Sequence, residues 1–308
     1  MPFYTMPDGE QLHVRRFGQG QPVLVLSGLG MQSWQWLPFL YPHRKQFEFI
    51  IPDWRGFGPS VDCAIPKNLN AIESHWNDIA CLIEQLKLDQ FIVIAYSMGA
   101  TTSMYGFEHA KFDQKLKAYL HIDQTPHIAV TSDWPYGLMG THYPQLLEIF
   151  QRIIEVLDTH PQAKYLDELP KATQTQLIQA WFKFLQLQQK QPWLKRITAQ
   201  ISKIPKINSL ALPMQRVDYV RWYISNYAQH RDDYRAAMAN LSCPATYFIG
   251  RQSSLYHSDG QLEIAKRTPH AKSIVFEHSG HAPLLKEPLK FSHELGQFLK
   301  RSAASSGI

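Results

Sequence analysis

The chain has 308 residues, of which 44% are hydrophobic and only 19% charged. That balance excludes a disordered chain, because enough apolar surface is present to offset the entropy of ordering, and the length allows one or two domains. A formal charge of +5 looks basic, but Lys and Arg are scattered. The loose set Lys183, Lys190, Lys195, Arg196, Lys203 and Lys206 reads as a solvated face, so no nucleic-acid partner is expected.

In chain order, Phe3 to Thr5, a turn at Pro7-Asp8-Gly9 and Leu12 to Arg16 predict a hairpin. The runs Val23–Leu26, Phe47–Ile51, Phe91–Ala95, Tyr119–Ile122, Thr246–Ile249 and Ser273–Phe276 are apolar on both faces and predict buried parallel strands. Helical patterns fall between them. Ile72–Leu86 sets Ile72, Trp76, Ile79, Ile83 and Leu86 on one stripe. Gly99–His109 follows the third run, Gln261–Arg267 the fifth, and Phe291–Lys300 closes the chain. This alternation predicts a doubly wound α/β sheet. The tail Ser302 to Ile308, small and polar, is expected to fray.

The rhythm breaks for about 120 residues between Asp123 and Pro244, too long for an ordinary connection. Helices are expected there at Pro144–Leu157, Thr173–Gln189, Pro192–Ile201 and Val217–Gln229. The segment is dense in aromatics, including Trp193. Most should form its own core, while Trp134, Tyr136, Trp181 and Trp222 are taken as candidates for lining a substrate pocket. Cys63, Cys81 and Cys243 form no disulfide framework and no metal-binding pair, which fits a reducing, cytoplasmic setting. The first residues show no signal-peptide pattern, and the longest apolar runs are too short to span a bilayer.

The sharpest motif is Ala95-Tyr96-Ser97-Met98-Gly99, directly after one buried run and before a helical stretch. Small-x-Ser-x-small at such a turn is a nucleophile elbow, which strains the serine backbone and pushes its hydroxyl out above the sheet. Ser27-Gly28-Leu29-Gly30 follows the strand Val23–Leu26, where the Leu29 amide could complete an oxyanion hole with that of Met98. Near the C-terminus, Ser279-Gly280-His281-Ala282-Pro283 follows the last strand and could bring His281 back towards Ser97. His278 with His281, and His121, Asp123 and His127, form no recognised metal site, so no metal is expected. Most of the 14 histidines are expected on the surface.

These residues resemble the α/β-hydrolase superfamily over nearly the whole chain. Asp53-Trp54-Arg55-Gly56-Phe57-Gly58-Pro59-Ser60 is similar to its D-x-R-G-x-G-x-S loop, and Gly280-His281-Ala282-Pro283 to its G-H-x-P loop. The resemblance implies a mostly parallel eight-stranded sheet flanked by helices, residues 1–123 and 244–308, with a helical cap from 124–243. It implies Ser97 as nucleophile, His281 as general base, and the Leu29 and Met98 amides as the oxyanion hole. Asp53, Arg55, Gly56 and Gly58 would then structure a loop.

One part departs from the family. Its acid usually stands in G-x-x-D after the fifth run, where this chain reads Gly250-Arg251-Gln252-Ser253. A carboxylate is still needed to fix the histidine's tautomer and stabilise its charged form. Asp123, at the end of the neighbouring strand, can serve, as in certain haloalkane dehalogenases and pancreatic lipases. Asp259 is the other candidate, although in Ser258-Asp259-Gly260 it reads as a helix cap. The expectation is therefore a cofactor-free serine hydrolase for an ester, thioester or lactone with an apolar acyl or alkyl part. Amidase, perhydrolase and carbon–carbon bond hydrolase chemistry stay open on this fold. The rival reading is a ligand-binding or signalling protein with slow or no turnover, motivated by Ser253. Oligomeric state is not legible in the sequence.

Overall fold

The computed structural model describes residues 2–188 and 216–304. Its sheet comprises β1 (Phe3–Thr5), β2 (Gln11–Gly18), β3 (Gln21–Leu26), β4 (Phe47–Pro52), β5 (Phe91–Tyr96), β6 (Leu116–Ile122), β7 (Ala245–Gly250) and β8 (Lys272–Phe276). The eight strands lie in the order β1-β2-β4-β3-β5-β6-β7-β8. β2 runs antiparallel to β1 and to β4, and every other neighbouring pair is parallel. The longer helices are α1 (Ala71–Gln85), α2 (Met98–Ala110), α3 (Tyr143–Asp158), α4 (Lys171–Gln188), α5 (Val217–Gln229), α6 (Ser258–Arg267) and α7 (Pro288–Ala304).

The chain divides into two compact units, one of Met1–His127 with Asp232–Ile308 and one of Ile128–Arg231. The first holds the whole sheet. Its central strands are β-branched and apolar, and every residue of β5 and β7 is buried. Alternate residues such as Val23, Val25, Ile92, Ile94, Leu120 and Ile122 pack on Phe291, Leu295, Phe298 and Leu299 of α7. The expectation of a buried last strand is corrected: Lys272 and Ser273 of β8 are exposed because β8 has a neighbour on one side only. The expected fray from Ser302 is corrected as well. α7 runs to Ala304, and the buried Ser302 hydroxyl donates to the Phe298 carbonyl. Residues 305–308 of that tail lie outside the described residues.

The junctions of the second unit fall inside the expected insertion of 124–243. Asp232 to Ala239 belongs with the sheet unit, where the buried Tyr234 donates its N–H to the Pro126 carbonyl. The second unit is helical. Ile149, Ile153, Val156 and Leu157 of α3 form a core with Leu166, Leu169, Leu177, Ala180 and Val217. The helix expected at Pro192–Ile201, Trp193 and the basic residues from Lys190 to Lys206 lie outside the described residues.

β3 is hydrogen-bonded to β4 on one side and β5 on the other, so the strand order reverses there. Loops leaving the carboxyl ends of such neighbours diverge to opposite faces and open a crevice, the usual place for a site in an open α/β sheet. Ser27–Gly30 leaves β3 and Ser97 leaves β5 at this point, with Leu26 paired to Ala95.

Candidate active site

Ser97 sits between β5 and α2 with φ 51° and ψ −118°, a conformation that non-glycine residues seldom adopt. Holding it costs on the order of 1–3 kcal/mol, which the surrounding structure must offset. The sheet does so from one side, since the Ser97 N–H donates to Ile122 O of β6 at 3.0 Å. From the other side, α2 begins at once, with Ala100 and Thr101 donating to Ser97 O. Gly99 explains the small residue two places on. A Cβ there would lie 2.2 Å from Leu26 O, so the helix start and the end of β3 need glycine between them.

His281 reaches the serine from the loop after β8. Its Nε2 is 2.9 Å from Ser97 Oγ, and its Nδ1 is 2.9 Å from Asp123 Oδ1. With Nδ1–H donating to the carboxylate, Nε2 is left to accept the serine hydroxyl proton. The imidazole lies between two rings, Tyr96 at 5.2 Å and Tyr256 at 5.4 Å between centroids. Glu287, whose part was not recognised in the sequence, holds the histidine loop: its Oε2 accepts from the His278 N–H and from the Ser279 hydroxyl at 2.7 Å. An acid six residues beyond His281, at the edge of a helix, was the available signal.

Asp123 is fully buried and also has a positive φ, 42°. Short polar Asp tolerates that region better than most residues. Three donors converge on its carboxylate. His281 Nδ1 and the Ser253 hydroxyl, the latter at 2.8 Å, bind Oδ1, and the Gly250 N–H binds Oδ2 at 2.8 Å. Such donors compensate the desolvation of a buried anion. Asp259, the other candidate acid, lies in the first turn of α6 with an exposed carboxylate 3.6 Å from His257 Nδ1. Its expected capping role is corrected: His257 is the cap, with Nδ1 accepting the Asp259 N–H, because the helix begins one residue before Asp259.

Leu29 is partly exposed on the turn after β3. That turn approaches the elbow closely, for a Cβ on Gly28 would stand 3.3 Å from Ser97 Cβ. Met98 is the first residue of α2, where amides have no carbonyl partner within their own helix. Of the expected aromatics, Trp134 is buried against Tyr136 in a T-shaped pair at 5.4 Å. Trp181 packs with Phe184, and Trp222 with Tyr219 and Tyr223. All four belong to the helical unit. Its cavity of about 570 Å³, between α3 and α4, is lined by none of them but by Gln145, Ile149, Arg152, Gln176, Lys183 and Leu187 among others.

The Asp53–Ser60 loop is held by buried charge. Asp53 Oδ2 accepts from His13 Nδ1 at 2.7 Å and from the Ser33 hydroxyl at 2.8 Å. Arg55 forms paired hydrogen bonds with Asp78 of α1, both 2.7 Å, and with Asp8 of the hairpin turn. Most of the histidines lie outside the core, as expected, but five do not. His13, His75, His121, His127 and His230 are buried, with His13 Nδ1 on the Asp53 carboxylate and His127 Nδ1 on Asp232 O at 2.8 Å. His121 Nε2 donates to Gln124 O at 3.0 Å and its Nδ1 accepts from Tyr119. Burial pushes the His75 and His121 pKa values from 6.5 to about 3 and about 4. Among the described residues no three His, Cys, Asp or Glu side chains gather as a metal site.

A sequence profile described as alpha/beta hydrolase fold matches residues 21–288. The chain belongs to the α/β-hydrolase family. Among curated proteins it is similar to the pimeloyl-acyl-carrier-protein methyl ester esterase of Legionella pneumophila, strain Corby. The two are 23% identical over 293 residues, covering 94% of this chain and 99% of the relative. Among solved structures of α/β-hydrolase size, the esterase EaEST from Exiguobacterium antarcticum matches with a TM-score of 0.70 at 17% identity, covering 97% of this chain and 99% of that one. A thermophilic esterase from Thermogutta terrifontis matches with a TM-score of 0.68 at 19% identity, covering 97% and 98%. At these identities the structural likeness establishes the α/β-hydrolase fold.

Proposed function

We propose that the protein is a serine hydrolase of carboxylic esters, working through an acyl-enzyme on substrates with an apolar acyl or alkyl part. The observation that carries this reading is the Ser97–His281–Asp123 alignment, two hydrogen bonds of 2.9 Å in series. The esterase names of the similar proteins support the ester bond as target. Ser97 Oγ attacks the ester carbonyl while His281 Nε2 takes the hydroxyl proton, and Asp123 stabilises the imidazolium that results. The tetrahedral oxyanion is held by the Leu29 and Met98 amides. Collapse expels the alcohol, which leaves with the proton from Nε2. A water then gives a proton to His281 Nε2 and attacks the acyl carbonyl, and the second tetrahedral intermediate collapses with that proton passing to Ser97 Oγ as the acid leaves.

The rival reading as a binding protein drew on the lack of an acid at position 253. The hydrogen bond from His281 to Asp123 takes away that ground. No helix among the described residues is long and apolar enough to cross a membrane. Cys63, Cys81 and Cys243 are free.

The test is stoichiometric labelling by a fluorophosphonate, mapped to Ser97, followed by turnover of p-nitrophenyl esters. Labelling with turnover is the expected result. Absence of labelling overturns the nucleophile, and labelling with no ester turnover overturns the enzyme.

A further inference from the structure

We propose that Ser253 is a positioning residue for the acid: it replaces the carboxylate of the family's usual place with a hydroxyl that aims Asp123 at His281. The inference rests on the reading of Ser97, His281 and Asp123 above. Ser253 stands on the turn after β7, closed by its N–H to Gly250 O at 3.1 Å, and is buried. Its hydroxyl is committed. Oγ accepts the Tyr256 N–H at 3.3 Å, so its single proton is directed at Asp123 Oδ1, 2.8 Å away.

That oxygen is the one His281 uses. Oδ2 is held by the Gly250 N–H, and a Cβ on Gly250 would be 2.9 Å from Oδ2, which shows how closely the β7 backbone approaches the carboxylate. With one donor on Oδ2 and two on Oδ1, the carboxylate plane cannot turn. Without Ser253 one contact remains on each oxygen, and one of the two is His281 itself, whose Nε2 has to serve serine, alcohol and water in turn. The acid would then follow the histidine in place of directing it. A hydrogen bond to a charged acceptor is worth enough for its loss to cost about tenfold in rate if all of it acts on the transition state.

A double-mutant cycle separates this from a role in holding the loop. S253A, D123N and S253A/D123N are compared with the wild type for kcat and KM on a p-nitrophenyl ester, with S97A as control and Tm measured for each. The expected result is a kcat loss of about tenfold for S253A with KM and Tm little changed, shrinking to less than about twofold in the D123N background. An equal loss in both backgrounds, or a loss below about twofold in the wild type, overturns the inference while S97A stays inactive. An S97A that keeps its activity overturns the nucleophile reading, and this inference with it.

Discussion

Replacing Asp123 by Asn exchanges one carboxylate oxygen for an NH2 group and keeps the shape, so its effect can be worked from the donors around the carboxylate. Oδ2 faces the backbone N–H of Gly250, which cannot rotate, while Oδ1 faces the Ser253 hydroxyl and His281 Nδ1. An asparagine has one oxygen to offer. If it faces Oδ1's partners, its NH2 opposes the Gly250 N–H in a fully buried site, and a buried donor left unpaired costs about 1–3 kcal/mol. If the oxygen faces Gly250, the amide hydrogens face Ser253, whose hydroxyl can turn, and His281, whose tautomer can change. The second arrangement satisfies more groups. It makes Nδ1 an acceptor and puts the proton on Nε2, which then points N–H at Ser97 Oγ and has no lone pair for the serine proton. The expected loss in kcat is on the order of 10⁴, with Tm altered by only a few degrees. Steady-state kinetics on a p-nitrophenyl ester with parallel thermal melts measure both. A kcat within tenfold of wild type would refute the assignment, and if Asp259→Asn were crippling at the same time the acid would lie on α6.

Ser97→Ala should keep the fold and lose on the order of 10⁴–10⁶ in kcat, and residual activity within tenfold of wild type would give the chemistry to another group. Activity should rise with pH through a single ionisation as the base becomes neutral, and His281→Ala should remove that limb with most of the activity; a limb surviving in the variant would belong to a different residue. If aromatic side chains of the insertion select the acyl part, each added methylene should raise kcat/KM about fourfold until the pocket is full, whereas equal values for short and medium chains would argue against enclosure. Fold stability should fall in acid. Between the ordinary histidine value of 6.5 and about 4, the unfolded chain binds protons that buried His75 and His121 refuse, so stability is lost as pH drops through that window. The urea midpoint should fall from pH 7 to pH 4.5, and His121→Gln should flatten the fall; an unchanged slope in that variant would be the contrary result.

The strands and the elbow were legible because their signals are local. Phe91 to Tyr96 is an unbroken apolar run, and Ser97 follows it with a residue at position 99 that leaves room for Leu26 O. Where exposure depends on the number of neighbours, sequence misled, as with β8. His121 is one of the histidines that pattern alone would not place inside. His121 looks polar, but its partners, Tyr119 and Gln124 O, lie two and three residues away along a strand end that only folding turns inward. Asp123 could be preferred over Asp259 from the motif departure at Ser253, but its bond to His281, across 158 residues of sequence, could not be read from local pattern. Ser253 could be read only as something missing. Its hydroxyl gains a role only when β6 and β7 stand side by side.

Main-chain bonds account for the arrangement of the site better than side-chain packing does. Tyr96 pairs with Ile122, and Ile122 with Phe248, so Ser97 and Asp123 are each the first residue past a register pair on neighbouring parallel strands. Both are tied back by their own N–H groups, Ser97 to Ile122 O and Asp123 to Phe248 O at 2.9 Å, and both then leave the sheet at positive φ. The next step is the same, with the Arg251 N–H on Phe276 O and the Gln252 N–H on Ser279 O, just before His281. Serine and acid therefore leave the neighbouring strands β5 and β6, the histidine leaves the loop after β8 with β7 between, and each strand end is fixed to its neighbour by peptide groups that no side-chain substitution removes. Adjacent strands are about 4.8 Å apart, which is within the reach of one carboxylate from either of two strands to the same imidazole. That spacing lets the proposed acid, Asp123, stand after β6 in this chain. It also leads to a definite expectation for the D123N/S253D exchange, which restores a carboxylate to the end of β7. Recovery of tenfold or more over D123N alone would show that the histidine takes its acid from either strand, and no recovery would show that the staggered geometry accepts only Asp123.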